Sequence, residues 1–116
     1  MNTSTLVDFI AVCDRRRLTA NRGVAALVHG VPIALFSLAD GSIHVIDNTD
    51  PFSGAGVLSR GLIGDVNGAA TVASPMHKQR FALATGVCID DPTMLVRVHE
   101  VRVTADTIEV RLVGSP

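Results

Sequence analysis

Two segments of this sequence contain side chains that could act in catalysis or bind a ligand. Both segments also have the Pro, Gly and Ser content that is typical of loops. They are residues 47–61, DNTDPFSGAGVLSRG, and residues 74–86, SPMHKQRFALATG. The two carboxylates of the first segment, Asp47 and Asp50, could act as an acid–base pair. Stabilisation of the loop beside Pro51 explains both better, because aspartates in turns accept hydrogen bonds from nearby backbone N–H groups.

The remaining reactive groups do not form a catalytic or metal-binding set. Ser59 and Ser74 have no neighbouring His–acid arrangement that would activate a nucleophile. His77 could bind a metal ion together with Asp50, but such sites use three or four ligands. We therefore expect no catalysis by this chain alone, no metal site, and an exposed loop-tip position for His77. Solvent-facing strand or turn positions are predicted for the other histidines, His29, His44 and His99.

The polar side chains of the two segments suit binding to another protein. Arginine and amide donors can fix the register of docking onto an acidic surface, although an ordinary solvated loop pair is the alternative. Met76 is predicted as an exposed apolar tip, with Leu58 as a further candidate, whereas Phe52 is expected to fill space inside the domain. We predict partner contacts at Leu58, Ser59, Arg60, Met76, His77, Lys78, Gln79 and Arg80.

The elements that must position these segments are short β-strands. Apolar runs at 24–28 and 33–38, and alternation at 43–45 and 107–112, fit strands in a sheet. Asp40-Gly41 and Asn67-Gly68 are strong hairpin-turn signals. Helix is scarce, with one short turn predicted at 14–18 and Asp14 as its N-cap. The pattern predicts an all-β fold of antiparallel sheets.

One strand near the C-terminus has an irregular apolar pattern. Val96 and Val98 share one parity, whereas Val101 and Val103 share the other. A shift of one residue turns every later side chain to the opposite face of a sheet. We therefore predict a β-bulge at His99-Glu100 that restores the register.

Composition limits the classes of function. The 116 residues fit one domain, and 47% of them are hydrophobic. A net charge of −1 and an aromatic content of 3% argue against nucleic-acid or membrane-surface binding. The first residues have their positive charges after the apolar stretch, unlike a secretory signal, and no apolar run reaches the ~18 residues that span a bilayer. We expect a cytoplasmic domain with Cys13 and Cys88 as reduced thiols.

The two segments resemble the cluster-binding loops of Rieske iron–sulfur domains. Residues 74–81, SPMHKQRF, followed by Thr85-Gly86, are similar to the family pattern Cys-Pro-x-His-Gly-x-x-Phe with its closing Thr-Gly. Residues 50–52, DPF, and residues 58–61, LSRG, are similar to Cys-Pro-His and Leu-Ser-x-Gly. The resemblance covers about residues 5–113 of a single domain, 1–116. It implies a Rieske-like β-sandwich or barrel with two ligand-type loops.

The departures from this family pattern fall on the ligands. A Rieske cluster is held by two thiolates and two imidazoles. The alignment places Asp50 and Ser74 where the thiolates would stand and Phe52 where the first imidazole would stand, so that His77 alone remains. The resemblance therefore implies a domain without an iron–sulfur cluster.

A narrower resemblance is to the small subunits of assimilatory NAD(P)H-dependent nitrite reductase, a cluster-free branch of this fold. It rests on four stretches, DNTDPFS at 47–53, VLSRG at 57–61, SPMHKQRF at 74–81 and TGVC at 85–88. This chain departs from that pattern at His77, where an aromatic residue is more usual, and in a start that lacks Trp.

This second resemblance implies an accessory subunit with no cofactor of its own and no independent activity. Its partner would be a cytoplasmic large subunit that contains siroheme, an iron–sulfur cluster and FAD and reduces nitrite to ammonium. Neither nucleic acid nor a membrane is expected as a partner. Two alternatives stay open: a stand-alone, cluster-free protein-binding module, and a Rieske-type ferredoxin that carries electrons.

Overall fold

The computed structural model describes residues 8–114, which form two antiparallel sheets. The strands are Ile10–Asp14 (β1), Gly23–Val28 (β2), Val31–Ser37 (β3), Ile43–Asp47 (β4), Leu62–Val66 (β5), Ala69–Ala73 (β6), Arg80–Ala82 (β7), Val98–Thr104 (β8) and Thr107–Arg111 (β9). One sheet has the order β1-β9-β8-β4-β3-β2 and the other has the order β5-β6-β7. Helix is limited, in this part of the chain, to two 3-10 helices, Arg15–Arg17 and Leu58–Arg60. The predicted all-β fold is confirmed.

Local turn chemistry sets the hairpins. Asn67 and Gly68 have φ angles of 51° and 88° and join β5 to β6. His29 and Gly30, with φ angles of 50° and 78°, join β2 to β3 in the same way. Positive φ at both central residues gives a turn whose twist matches that of the flanking strands. The hairpin predicted at Asn67-Gly68 is confirmed.

The short helical turn predicted near the N-terminus is also present. Arg15–Arg17 is a 3-10 helix, and the side chain of Asp14 accepts a hydrogen bond from the backbone N–H of Arg16. This bond satisfies one of the N–H groups that a helix leaves free at its start. The prediction of Asp14 as the N-cap is confirmed.

Strands β3 and β4 separate two hydrophobic cores, because successive side chains of a strand point to opposite faces. Ala34, Phe36 and Ile46 face one of them, and Ile33, Leu35 and Val45 face the other. The loop core consists of Ala34, Phe36, Ile46, Leu58, Val72, Phe81, Leu83, Cys88 and Val96. The strand core consists of Val28, Ile33, Leu35, Val45, Ile108 and Val110.

The predicted β-bulge at His99-Glu100 is wrong. Pairing is regular along both edges of β8, with Val98 and His99 opposite β4 and residues 100–104 opposite β9. The two cores explain the change of parity: Val96 and Val98 pack on the loop core, whereas Val101 packs on the strand core. One regular strand therefore contributes apolar side chains to both of its faces.

The two cysteines are separate thiols. Cys88 is buried in the loop core and Cys13 is partly buried against the strand core. Neither residue belongs to the loops that resemble the Rieske ligand loops. Within residues 8–114, no helix has the length and apolar character needed to cross a bilayer.

Candidate functional site

Two loops at one end of the strands form the candidate site. The first loop, residues 48–61, connects β4 to β5, and the second loop, residues 74–79, connects β6 to β7. Asn48 organises the first loop, since its carboxamide oxygen accepts from the Ser59 N–H at 2.7 Å and its nitrogen donates to the Gly56 carbonyl at 3.2 Å. Sequence reasoning assigned no role to Asn48. Its only signal was its place in the DNTDP stretch.

A buried hydrogen bond joins the two loops. The hydroxyl of Ser74 donates to Asp50 Oδ2 at 2.5 Å, and both residues are essentially inaccessible to solvent. The other carboxylate oxygen of Asp50 accepts from the Phe52 N–H at 2.8 Å, which is the predicted Asx turn. The two positions that match the family's thiolates are thus in direct contact with each other.

Phe52 lies beside this bond and packs against the loop core. Its ring is tilted by 53° to that of Phe81, with 6.2 Å between the ring centroids. Tilted aromatic pairs at this separation are favourable beyond the area that they bury. The placement agrees with a ring that fills space inside the domain.

The residues at the four ligand positions do not fit a 2Fe-2S cluster. They provide one imidazole, one carboxylate and one hydroxyl, and no thiolate. The carboxylate and the hydroxyl are hydrogen-bonded to each other, and a phenyl ring occupies the fourth position. Residues 8–114 contain no group of three or more His, Cys, Asp or Glu side chains that could hold a metal ion.

The second loop keeps a glycine-type bend at a lysine. Lys78 has a φ angle of 63° and stands where the Rieske pattern has Gly. Its N–H donates to the Ser74 carbonyl at 2.8 Å, and the Ser74 N–H donates to the Gln79 carbonyl at 2.8 Å. These two bonds close the loop and hold the intervening residues outward. Met76, 50% exposed, lies at this tip together with the exposed side chains of His77 and Lys78.

The predicted contact residues are not equally available to a partner. Leu58 is fully buried in the loop core, and Ser59 is 9% exposed, because their 3-10 helix turns inward. Neither side chain can serve as an exposed contact, and Leu58 as an apolar tip is wrong. The guanidinium of Arg80 is paired with Asp90 at 2.8 Å.

Five side chains of the predicted set remain exposed, namely Arg60, Met76, His77, Lys78 and Arg80, and of these Arg80 is paired with Asp90. Gln79 is half-buried, and its side-chain oxygen has no hydrogen-bond partner among the described residues. The available contact surface is therefore the loop tip and Arg60.

Asp47 does not belong to the loop, although an Asx role was predicted for it. It ends β4 and pairs with Arg97 at 3.0 Å and with His99 Nε2 at 2.9 Å. Burial by itself would raise the pKa of Asp47, but the hydrogen bonds from His99 and Arg97 and the Arg97 charge outweigh it. The pKa of Asp47 is lowered from 3.8 to about 2.

The histidine predictions are partly wrong. His99 is 3% exposed and accepts from the Val113 N–H at 3.0 Å through Nδ1, so it is not solvent-facing. His44 is half-buried beside Ser42, and burial lowers its pKa. His29 and His77 are exposed, as predicted.

Comparison with known proteins connects this geometry to one family. The model of the Rieske-like [2Fe-2S] domain family matches residues 8–111. The chain is 38% identical over 101 residues to the nitrite reductase (NADH) small subunit of Salmonella typhimurium, covering 86% of this chain and 94% of that protein. It is also 40% identical over 93 residues to a nitrite reductase NAD(P)H large subunit of Klebsiella oxytoca, covering 80% of this chain and 10% of that protein.

A solved structure has the same fold over nearly the whole chain. It is the crystal structure of a Mycobacterium tuberculosis protein provisionally assigned as an NADH-dependent nitrite reductase small subunit. The two chains are 46% identical and superimpose with a TM-score of 0.89, covering 94% of this chain and 98% of the other.

Proposed function

This chain belongs to the Rieske-like [2Fe-2S] domain family and to the nitrite reductase small subunits, and from that premise we propose its function. It is the accessory subunit of a cytoplasmic NAD(P)H-dependent nitrite reductase and docks onto the large subunit, which performs the chemistry. The chain itself contributes no cofactor. FAD, siroheme and the iron–sulfur cluster belong to the large subunit.

One structural observation supports this proposal most. The two loops are present, but the side chains at the two thiolate positions bond to each other, Ser74 to Asp50 at 2.5 Å. A domain that keeps the loops without the ligands uses their shape and not their redox chemistry. The second loop offers an exposed tip with Met76 and Lys78, and the first loop offers the exposed Arg60.

The Klebsiella oxytoca large subunit supports the choice of partner. Its match spans most of this chain but a tenth of that protein, so a similar domain is part of one polypeptide with a nitrite reductase large subunit. Domains that are fused in one relative and separate in another commonly pack against each other. The separate chain is therefore expected to bind the corresponding surface of its own large subunit.

Binding to the purified large subunit tests the proposal. In Arg60→Glu/Lys78→Glu, two exposed positive charges of the loops are reversed without disturbing the Asp50–Ser74 bond. Reversed charges should weaken binding at an acidic partner surface by at least about tenfold. Biolayer interferometry on the immobilised large subunit gives the Kd, and circular dichroism verifies that the variant is folded.

The matched control reverses two other exposed arginines. Arg15→Glu/Arg17→Glu makes the same change in charge on the first 3-10 helix, which is hydrogen-bonded to the β8–β9 turn through Asp106. It should bind within about twofold of the wild type. If both double variants weaken binding equally, the large subunit does not bind specifically at the two loops. Absence of binding by the wild-type chain would contradict the subunit function.

A further inference from the structure

The positive charges of this domain are divided into paired and unpaired groups. Five of them form ion pairs with carboxylates: Arg16, Arg80, Arg97, Arg102 and Arg111. No carboxylate of residues 8–114 is paired with any of the other five: Arg15, Arg17, Arg22, Arg60 and Lys78. Two of these, Arg15 and Arg17, lie on the first 3-10 helix, and the other three lie on the two loops or beside them.

Arg22 and Arg60 line the same surface groove although they are far apart in the sequence. The groove lies between the start of β2 and the start of β5 and has a volume of about 400 Å³. Its lining, which we call the Arg22 groove, consists of Asn21, Arg22, Gly23, Ser59, Arg60, Gly61 and Leu62. Arg60 therefore belongs both to this groove and to the loop surface proposed above.

Backbone contact makes the wall of the groove rigid. A Cβ atom built on Gly23 would lie 2.2 Å from the Ser59 carbonyl oxygen, so the two backbones touch. The N–H of Ser59 is held by Asn48 at 2.7 Å. A groove whose wall is fixed before binding loses less conformational entropy when a partner arrives.

An exposed leucine gives the groove an apolar end. Leu62 is 78% exposed, and Leu27, at 70%, is the other leucine of residues 8–114 with more than half of its surface in water. A single exposed leucine is ordinary on a protein surface. Leu62 differs because it stands beside two arginines, the combination of apolar anchor and cations that occurs at binding sites.

We propose that the Arg22 groove binds an acidic segment of the large subunit that also presents an apolar side chain. Carboxylates of that segment pair with Arg22 and Arg60, and the apolar side chain packs on Leu62. This inference rests on the proposed function, since it names where the large subunit is held. It extends the contact from the loop tip to the start of β2 and β5.

The test compares each groove variant with a control of the same chemistry. Arg22→Glu should weaken binding to the purified large subunit by about tenfold at low salt, and less at high salt. Arg15→Glu makes the same charge change on the 3-10 helix and should bind within about twofold of the wild type. Leu62→Ala should weaken binding about fivefold at every salt concentration, because it removes apolar contact.

Leu27→Ala is the control for Leu62→Ala, since Leu27 is also strongly exposed. It should leave the Kd unchanged within about twofold. Circular dichroism melts identify any variant that fails to fold, and both truncations are at exposed positions where folding should be kept. If the groove variants bind like the wild type, or if the controls weaken binding equally, the groove is not the binding site of the large subunit. Either result leaves the proposed subunit function intact. A wild-type chain that does not bind overturns the proposed function.

Discussion

Asp47 and Asp50 stand three residues apart and end in two different regions of the molecule. Asp47 is the last residue of β4, an inner strand of the six-stranded sheet, and pairs with Arg97 and His99. Asp50 lies in the first loop and accepts a hydrogen bond from the buried hydroxyl of Ser74. Both carboxylates connect segments that are distant in the sequence, but the first accepts from a guanidinium and an imidazole and the second from a hydroxyl and a backbone N–H.

The difference shows what each region needs. The sheet end is partly open to water, with 18% of the Asp47 side chain exposed, and tolerates an ion pair. The loop junction is closed to water, so every lone pair there needs a partner from the protein. The first region therefore stabilises the fold, and the second sets the position of two loops relative to each other.

The largest effect is expected from removal of Asp47. Asp47→Ala leaves the guanidinium of Arg97 and the buried imidazole of His99 without their acceptor, and should reduce the free energy of unfolding by about 3 kcal/mol. Urea denaturation measures this loss. Asp40→Ala is the matched control, since Asp40 is exposed and its carboxylate accepts hydrogen bonds from Ser42. An equal loss from both variants would mean that the Asp47 cluster does not stabilise the fold.

A smaller loss is expected at the loop junction. Ser74→Ala removes the hydroxyl donor from a fully buried carboxylate and should cost about 2 kcal/mol of unfolding free energy. Ser42→Ala deletes a hydroxyl with the same role, which donates to the exposed Asp40 at 2.6 Å, and should cost about 0.5 kcal/mol. Amide hydrogen exchange should also become faster at Phe52, whose N–H binds the same carboxylate. Unchanged exchange there would show that the loops are held by something else.

The smallest expected effect is a change of the free energy of unfolding at acid pH, caused by the titration of Asp47. Its folded-state pKa of about 2 lies below the ordinary 3.8, so the unfolded chain binds more protons between these values. The stabilisation is complete above about pH 4 and is lost as the pH falls towards 2. Allowing for solvent screening, we expect about 1 kcal/mol, measured as the difference between wild type and Asp47→Asn across this window.

Asp14 provides the control for the acid titration. Its pKa is also lowered to about 2 by the hydrogen bonds from Arg16, but the pair is exposed. Because water and salt screen this exposed pair, Asp14→Asn should change the slope of stability against pH much less than Asp47→Asn does. If the slope of unfolding free energy against pH disappears in Asp14→Asn and persists in Asp47→Asn, the acid dependence comes from Asp14 and not from Asp47.

Much of the fold could be predicted from the sequence because its signals are local. Alternation predicted the strands that became β4 and β9, and Asn67-Gly68 predicted its hairpin. The first strand, β1, gives no such signal and was not predicted. The change of parity at Val98 and Val101 was seen, but its cause was not, because the existence of a second core is a property of the whole chain.

The sequence predicted which residues form the site but not the contacts between their side chains. The resemblance to the Rieske pattern identified Asp50, Phe52, Ser74 and His77, but nothing in it indicates that the hydroxyl of Ser74 binds Asp50. The Asp47 cluster was missed because its members are 50 and 52 residues apart. His99, between Val98 and Glu100, looks like any polar strand residue until its neighbours in space are known.

The bond between Asp50 and Ser74 also has a consequence for biosynthesis. Both partners are encoded in the chain, separated by 24 residues, so the two loops reach their places in the same event that folds the domain. Under the proposed function, no scaffold protein has to deliver a metal centre to this junction, and no change of oxidation state alters it afterwards. A cell short of iron could therefore still accumulate this domain in its final shape.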